Sequence, residues 1–344
     1  MKPPFITILN YAGGEPSSGV HLPFTCNASR VTETATNFLH QVDLSKALND
    51  ATFKASVTDR SSLVIRDDEG NPLPSKMLLN LSGNTLLAYF DGPKSTSADT
   101  TFHLYASPEF TEVDSTAAFT NCGITNFWGF DEASGTTAYD YAGSANINLT
   151  SSISLGNTGH FGGSALADST YSYGSSSSNL NYGSAQTMVI GVTLKRNSSL
   201  GQEKVTFRYG DIASIACLEI RFRDSNGIMV YTQYNYYQQS ALGGYGVDGN
   251  YHCYALAYNG NLSNNDKVKI YYDGELQSSS ASNTISPTMP SQAYPMWLGH
   301  NNGWGQPCNY ENLYVKNTAT DGFLKDRYRV LFESSTFYTI GEVG

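Results

Sequence analysis

Period-two alternation of apolar and polar side chains dominates the second half of the chain. Met188, Ile190, Val192 and Leu194 fall on one face, with Thr193 and Lys195 on the other. Leu218, Ile220 and Phe222 alternate with Glu219, Arg221 and Arg223. Tyr254, Leu256 and Tyr258 oppose Ala255 and Ala257; Val268, Ile270 and Tyr272 oppose Lys269 and Tyr271. Side chains two apart on a strand share a face, so these runs predict strands with one buried side. Asp273-Gly274 after the last run predicts a two-residue hairpin, because both central residues of that turn need positive φ. Antiparallel sheets wetted on one side must cover each other's apolar faces, which predicts a sandwich.

The first half reads as short strands between turns. Leu63–Arg66 runs into the turn cluster Asp67–Pro72, and Phe102, Leu104 and Ala106 alternate with His103 and Tyr105. The run Asn80–Phe90 is expected to stop at Asp91-Gly92-Pro93. Residues 1–25, rich in Pro and Gly, read as an extended arm or first strand. Leu44–Phe53 fits a short helix with Ser45 near its start. Asp321 could cap a late helix over Gly322–Leu331, with Phe323, Leu324, Tyr328 and Leu331 near one side.

Composition narrows the class. The 344 residues are 40% hydrophobic, enough for a sizeable core, but only 15% charged. Ser, Thr, Asn, Gly and Tyr carry the surface instead, as in β-rich extracellular or virion proteins. The 30 acidic and 20 basic side chains give a net charge of −10, which argues against nucleic-acid binding. No run reaches the roughly 20 apolar residues of a membrane helix. The start Met1–Phe5 is not followed by the apolar core of a secretory signal. Five cysteines without a CxxC pair read as free thiols. Five Asn-x-Ser/Thr sequons, at Asn27, Asn80, Asn148, Asn197 and Asn261, are no more than this composition yields by chance.

Catalytic signatures are missing. No G-x-S-x-G elbow, P-loop or dinucleotide fingerprint occurs. Glu219 is followed by Arg221 and Arg223 on the same face, which predicts ion pairs on a solvated sheet.

Several segments in order resemble concanavalin A-like, laminin G-like domains over roughly 120–335. They are Trp128–Asp140, His160–Leu166, Asp248–Gly260, Val268–Gly274, Leu298-Gly299 and Asn312–Val315. Residues from about 30 to 120 are similar to the β-sandwich domain of unknown function that often precedes them in bacterial surface and phage proteins. The expected fold is therefore all-β: two tandem β-sandwiches, the C-terminal one a laminin G-like jelly roll, behind an N-terminal arm. The expected boundaries are 1–25, 26–120 and 121–344. Glucanases on this fold use an E-x-D-x-x-E strand pattern, which this chain lacks. The resemblance implies His252 in a structural position. It also implies calcium as a cofactor, with Asp131, Asp168 and Glu311 as candidate ligands.

Glycan binding is the family's commonest role. Sugars are held by aromatic faces with amide, carboxylate and backbone groups orienting the hydroxyls. The loop around Asn301, Asn302 and Trp304 has that composition, as do Tyr236, Tyr237 and Tyr245. A loop anchor for Trp304 and an oligomer contact for the tyrosines are the alternatives. The expected function is a non-enzymatic virion surface protein, a fibre, spike or decoration subunit. It would contact other virion proteins, copies of itself and a host-surface glycan, with neither nucleic acid nor membrane insertion. A ligand-free structural subunit, an extracellular or cell-surface bacterial adhesin and a polysaccharide-active enzyme are the competing readings.

Overall fold

The computed structural model describes residues 20–108, 110, 115–182, 187–197, 204–210, 216–223, 227–232, 235–239, 248–263, 266–277, 279–281, 293–300 and 305–344. The arm expected over 1–25 thus lies outside the described residues up to position 19. From Val20 the chain is a paired strand.

Val20–Cys26 runs antiparallel to Thr100–Ala106, from Val20 opposite Ala106 to Cys26 opposite Thr100. These strands lie in a sheet ordered Tyr338–Ile340, Val20–Cys26, Thr100–Ala106, Leu63–Asp67, Pro72–Leu73. A second sheet, Ala35–Asp43, Thr85–Lys94 and Ser75–Asn80, completes the first sandwich. Between the sheets Phe24, Phe38, Phe90 and Phe102 are buried, and Phe90 meets Phe102 edge-on at 4.9 Å between centroids.

Thr85–Lys94 does not stop at Asp91-Gly92-Pro93 as expected. The partner Ser75–Asn80 ends opposite Phe90, so Pro93 lies where one edge of the strand is unpaired and a missing N–H costs little. Gly92 is needed there: a Cβ would lie 3.0 Å from the rings of both Phe90 and Phe102. Asp91 is held by Asn37 and Asn121. The expected helix over Leu44–Phe53 is broken into a 3-10 turn, Ser45–Asn49, and a short α-helix, Ala51–Ser56. Asp50 interrupts it because its carboxylate accepts from the N–H groups of Thr52 and Phe53, making it an N-cap.

The second sandwich packs a nine-stranded sheet on an eight-stranded one. Thr187–Arg196 lies between Tyr251–Asn259 and Cys308–Lys316. The alternation holds: Met188, Ile190, Val192, Leu194, Leu218, Ile220, Phe222, Tyr254, Leu256, Val268 and Ile270 form one core. Asp273 and Gly274 have φ of 49° and 76°, and Tyr272 pairs with Glu275 across them, as a two-residue hairpin requires.

The expectation of solvated outer faces fails for the eight-stranded sheet. Its far face carries Val189, Ala255, Tyr271 and Tyr314, all buried with the core residues of the first sandwich. Gly191 lets that face close: a Cβ there would lie 2.2 Å from the Tyr314 ring.

The end of the chain, placed by the sequence reading with the second sandwich, returns to the first. Tyr338–Ile340 pairs with Val20–Cys26. The late helix spans Asp321–Phe332, one residue longer at each end than expected, and Thr320 caps it, accepting from Phe323 N–H at 3.0 Å. Its buried side includes Asp326 and Arg327 as well as Phe323, Leu324, Val330 and Leu331. Asp326 meets Lys94 of the first sandwich at 2.5 Å with both side chains fully buried. Arg327 donates to the carbonyl of Leu39 at 2.6 Å and to Gln41. These partners explain why the expected purely apolar face was incomplete.

Candidate functional site

A groove of about 1340 Å³ runs between the two sandwiches. One wall is Thr58–Ser61, Met77–Ser82, Thr85 and Leu87. The other is Asp131–Ala133, Gly156–Thr158, Gly162 and Gly163. The strands behind these walls, Ser75–Asn80 and Ile153–Thr158, each lie at the edge of their sheet. The lining therefore mixes hydroxyls, amides and carboxylates with the leucines at 78, 79, 81 and 87.

The carboxylates follow from local geometry. Phe130, at φ 60°, turns the chain out of the strand Ile124–Trp128 and delivers Asp131 and Glu132 to the groove. Asp131 accepts from Gly163 N–H at 3.3 Å and from the hydroxyls of Tyr141 and Tyr89 at 3.2 and 3.4 Å. Loss of water, and secondarily the charge of Glu132, pushes its carboxyl up to about 7. Glu132 is also raised by loss of water. One of its oxygens accepts from Tyr139 N–H at 2.7 Å, while the other is buried with no partner. The Tyr139 ring is 55% exposed. On the first-sandwich wall, Asp59 is held below its usual range by the hydroxyl and N–H of Ser61.

Glu311 lies deeper. Its carboxylate accepts from His160 N–H at 2.7 Å and Phe161 N–H at 2.5 Å. Burial pushes it up to about 8, against the pull of those two donors. The three candidate calcium ligands do not converge. Asp131 bonds the N–H of Gly163, the first residue of the strand Gly163–Ala167, and Asp168 follows its last. At about 3.3 Å per residue the two ends are about 16 Å apart. Asp168 is exposed and, among the described residues, accepts from Ser172 at 3.4 Å, and both oxygens of Glu311 already face backbone donors. Among the described residues no group of three or more His, Cys, Asp or Glu is arranged for a metal. This donor set does not fit calcium.

The outer face of the nine-stranded sheet holds a second polar constellation. Residues directly opposite on antiparallel strands share a face. Trp297 stands opposite Arg208, Arg208 opposite Glu219, Glu219 opposite Tyr231 and Tyr231 opposite Tyr236. Tyr236 thus falls in the row of Trp297 and Glu219. Tyr237 stands opposite Val230, in the adjacent row that holds Ile220. Asn301, Asn302, Trp304 and Tyr245 lie outside the described residues. Glu219 pairs with Arg221, as expected, and also with Arg208 at 3.3 Å. The expectation of a solvated pair is wrong, however: the Glu219 side chain has no exposure. His300 is lowered to about 4 by burial and by the neighbouring Arg208 and Arg221. Trp297 and Tyr173 sit 6.1 Å apart beside this cluster, both half-buried.

His252 bridges two carboxylates, Asp273 at 2.7 Å and Asp248 at 3.1 Å, and stacks on Tyr272 at 5.0 Å. It ties the hairpin turn to the segment before its own strand, a structural task.

No protein-family model matches this chain. No curated protein matches it either. Solved structures do. The botulinum neurotoxin serotype D ligand-binding domain in complex with N-acetylneuraminic acid is 14% identical, with a TM-score of 0.47, over 62% of this chain and 52% of that one. The receptor-binding domain of the C/D mosaic serotype is 13% identical at TM-score 0.46, over 61% and 51%. The binding domain of Paraclostridial Mosquitocidal Protein 1 is 11% identical at 0.45, over 60% and 52%. The chain spans about half the length of these structures.

The first-sandwich wall of the groove was missed in the sequence, and no local signal marks it. Ser61, Asn80 and Asn157 are ordinary turn and strand-end residues until the sandwiches meet.

Proposed function

We propose that the chain is a non-enzymatic, glycan-binding module of laminin G-like type, with its sugar site in the groove between the sandwiches. The supporting observation is the groove itself. Its volume exceeds the roughly 300–1,000 Å³ of a small-molecule site, so it has room for several sugar rings. Sugar hydroxyls would donate to Asp131 and to the unpartnered oxygen of Glu132 and bond Asn80, Asn157 and Thr158. Tyr139, whose N–H bonds Glu132 and which is largely exposed, would offer a stacking face at the rim.

A glycan array with the full chain tests this, run with wild type, Glu132→Gln, Trp297→Ala and Trp304→Ala, each with and without calcium. Saturable binding weakened about tenfold or more only in Glu132→Gln supports the groove. Loss confined to Trp297→Ala moves the site to the outer face of the nine-stranded sheet, and loss confined to Trp304→Ala moves it to the segment that holds that residue. Absence of binding by the folded chain leaves the ligand-free structural subunit. A calcium requirement would revive the metal reading that the present ligand geometry disfavours.

One observation favours hydrolysis as a second reading. Asp131, raised towards neutrality, and Asp59, held low, line opposite walls of one groove, and carboxyls pushed apart in this way suit acid and base roles. Release of reducing ends from a bound glycan, abolished in Asp131→Asn, would establish it.

The setting we propose is the surface of a virion, where repeated copies would turn weak sugar contacts into avidity. The low-charge composition rich in Ser, Thr, Asn, Gly and Tyr supports it. Presence of the chain in purified particles, rather than only in host cells, is the test.

A further inference from the structure

We propose that a small monovalent anion, of the size and charge of chloride, binds where the late helix packs on the second sandwich, between Arg327 and Asn312. Three observations meet there. The first is an uncompensated charge. Arg327 is 3% exposed, and among the described residues its guanidinium bonds neutral acceptors, the Leu39 carbonyl and Gln41. The neighbouring Asp326 is committed to Lys94. A buried cation without a counter-charge costs several kcal/mol by general estimates, so a fold that keeps one calls for an anion.

The second is a pair of orphaned donors. Arg327 Nε and Asn312 Nδ2 are both buried and make no hydrogen bond. Asn312 is 1% exposed and has φ 53°. It sits where the register between Cys308–Lys316 and Thr187–Arg196 shifts. This bulge turns its side chain across the seam, where Oδ1 accepts from Gln41 at 3.1 Å and Tyr89 at 3.1 Å. Nδ2 is left as a donor.

The third is space. A cavity of about 20 Å³ is lined by both residues together with Thr193, Tyr271, Tyr314 and Leu324. A single water needs roughly 10–15 Å³ on the same measure, so a chloride-sized sphere fits and a sulfate does not. Water would satisfy the two donors but leave the charge uncompensated. A halide satisfies the donors and the charge together. The anion would lie between the second sandwich and the late helix, whose residues alone line the cavity, and would act as a structural tie between them.

The test uses the full chain at constant ionic strength, exchanging gluconate, too large for the cavity, for chloride or bromide. The expected result is a saturable rise of the thermal midpoint, on the order of a few degrees once the halide is well above its Kd. The rise should be absent in Arg327→Met and at least tenfold weaker in apparent affinity in Asn312→Leu. Crystals grown in bromide should show an anomalous peak within hydrogen-bond distance of Arg327 Nε and Asn312 Nδ2, a reading that does not depend on any variant folding. Equal midpoints in gluconate and chloride, or ordered water without anomalous signal at that position, would overturn the proposal.

Discussion

Replacing Asp326 by asparagine should be among the most damaging single changes in this chain that alters no volume. Lys94 and Asp326 are fully buried and 2.5 Å apart. Lys94 Nζ also donates to the Glu33 carbonyl at 2.7 Å and lies 4.6 Å from the Phe38 ring centroid. Asp326 accepts from Thr32 N–H at 2.9 Å and, more weakly, from Glu33 N–H at 3.4 Å. The substitution removes the carboxylate that pairs with Lys94 and turns one acceptor into a donor facing the Thr32–Glu33 backbone. Breaking one side of a buried pair leaves an uncompensated charge, typically about 3–5 kcal/mol. That is a fifth or more of the roughly 5–15 kcal/mol by which domains are stable. Urea unfolding of the full chain measures it. Lys94→Met should be comparably harmful. The double variant should be less unstable than the sum of the singles by about 2 kcal/mol or more, because neither charge is then stranded. Hydrogen exchange should show the late helix loosening first in Asp326→Asn, since this pair anchors it to the first sandwich. A loss under about 1 kcal/mol, or singles that add within about 0.5 kcal/mol, would refute the reasoning.

The remaining expectations concern other parts of the molecule. His252 is raised above its usual value by Asp273 and Asp248 against the opposing effect of burial. Its stabilising contribution is therefore fully present below about pH 6.5 and is lost as pH rises through the folded-state value. Thermal midpoints from pH 5.5 to 8.5 should show a decline that flattens in His252→Gln. Gly191→Ala places a Cβ 2.2 Å from Tyr314 and should cost about 1–3 kcal/mol in urea unfolding. Glu219→Gln removes a buried carboxylate that pairs with both Arg208 and Arg221 and should destabilise, measurable in the same assay. The thiols of Cys26, Cys122 and Cys308 are buried and free. Burial raises all three, Cys26 and Cys308 to about 12, so they should resist a thiol reagent until the chain unfolds.

Sequence alone determined the strands and their buried faces. Alternation such as Met188–Leu194 and Leu218–Phe222 is a local code, because a strand's side chains must point to opposite sides whatever lies beyond. The Asp273-Gly274 hairpin is equally local, since few residues accept positive φ at both turn positions. Contacts between distant segments were beyond that code. Alternation says which face is apolar enough to bury, but not whether the opposite face meets water. Ala255 and Tyr271 were therefore legible as an outer face and not as the seam with the first sandwich. Glu219 followed by Arg221 announced an ion pair but not its burial. Asp326 and Arg327 drew no notice in the sequence, because their partners Lys94, Gln41 and Leu39 lie more than 200 residues earlier. Asp131 was singled out for a metal, yet its environment is set by Tyr89 of the other sandwich and by Gly163. The groove belongs to neither sandwich in isolation. Its walls come from residues 58–87 on one side and 131–163 on the other, a meeting of distant segments that no window of sequence contains.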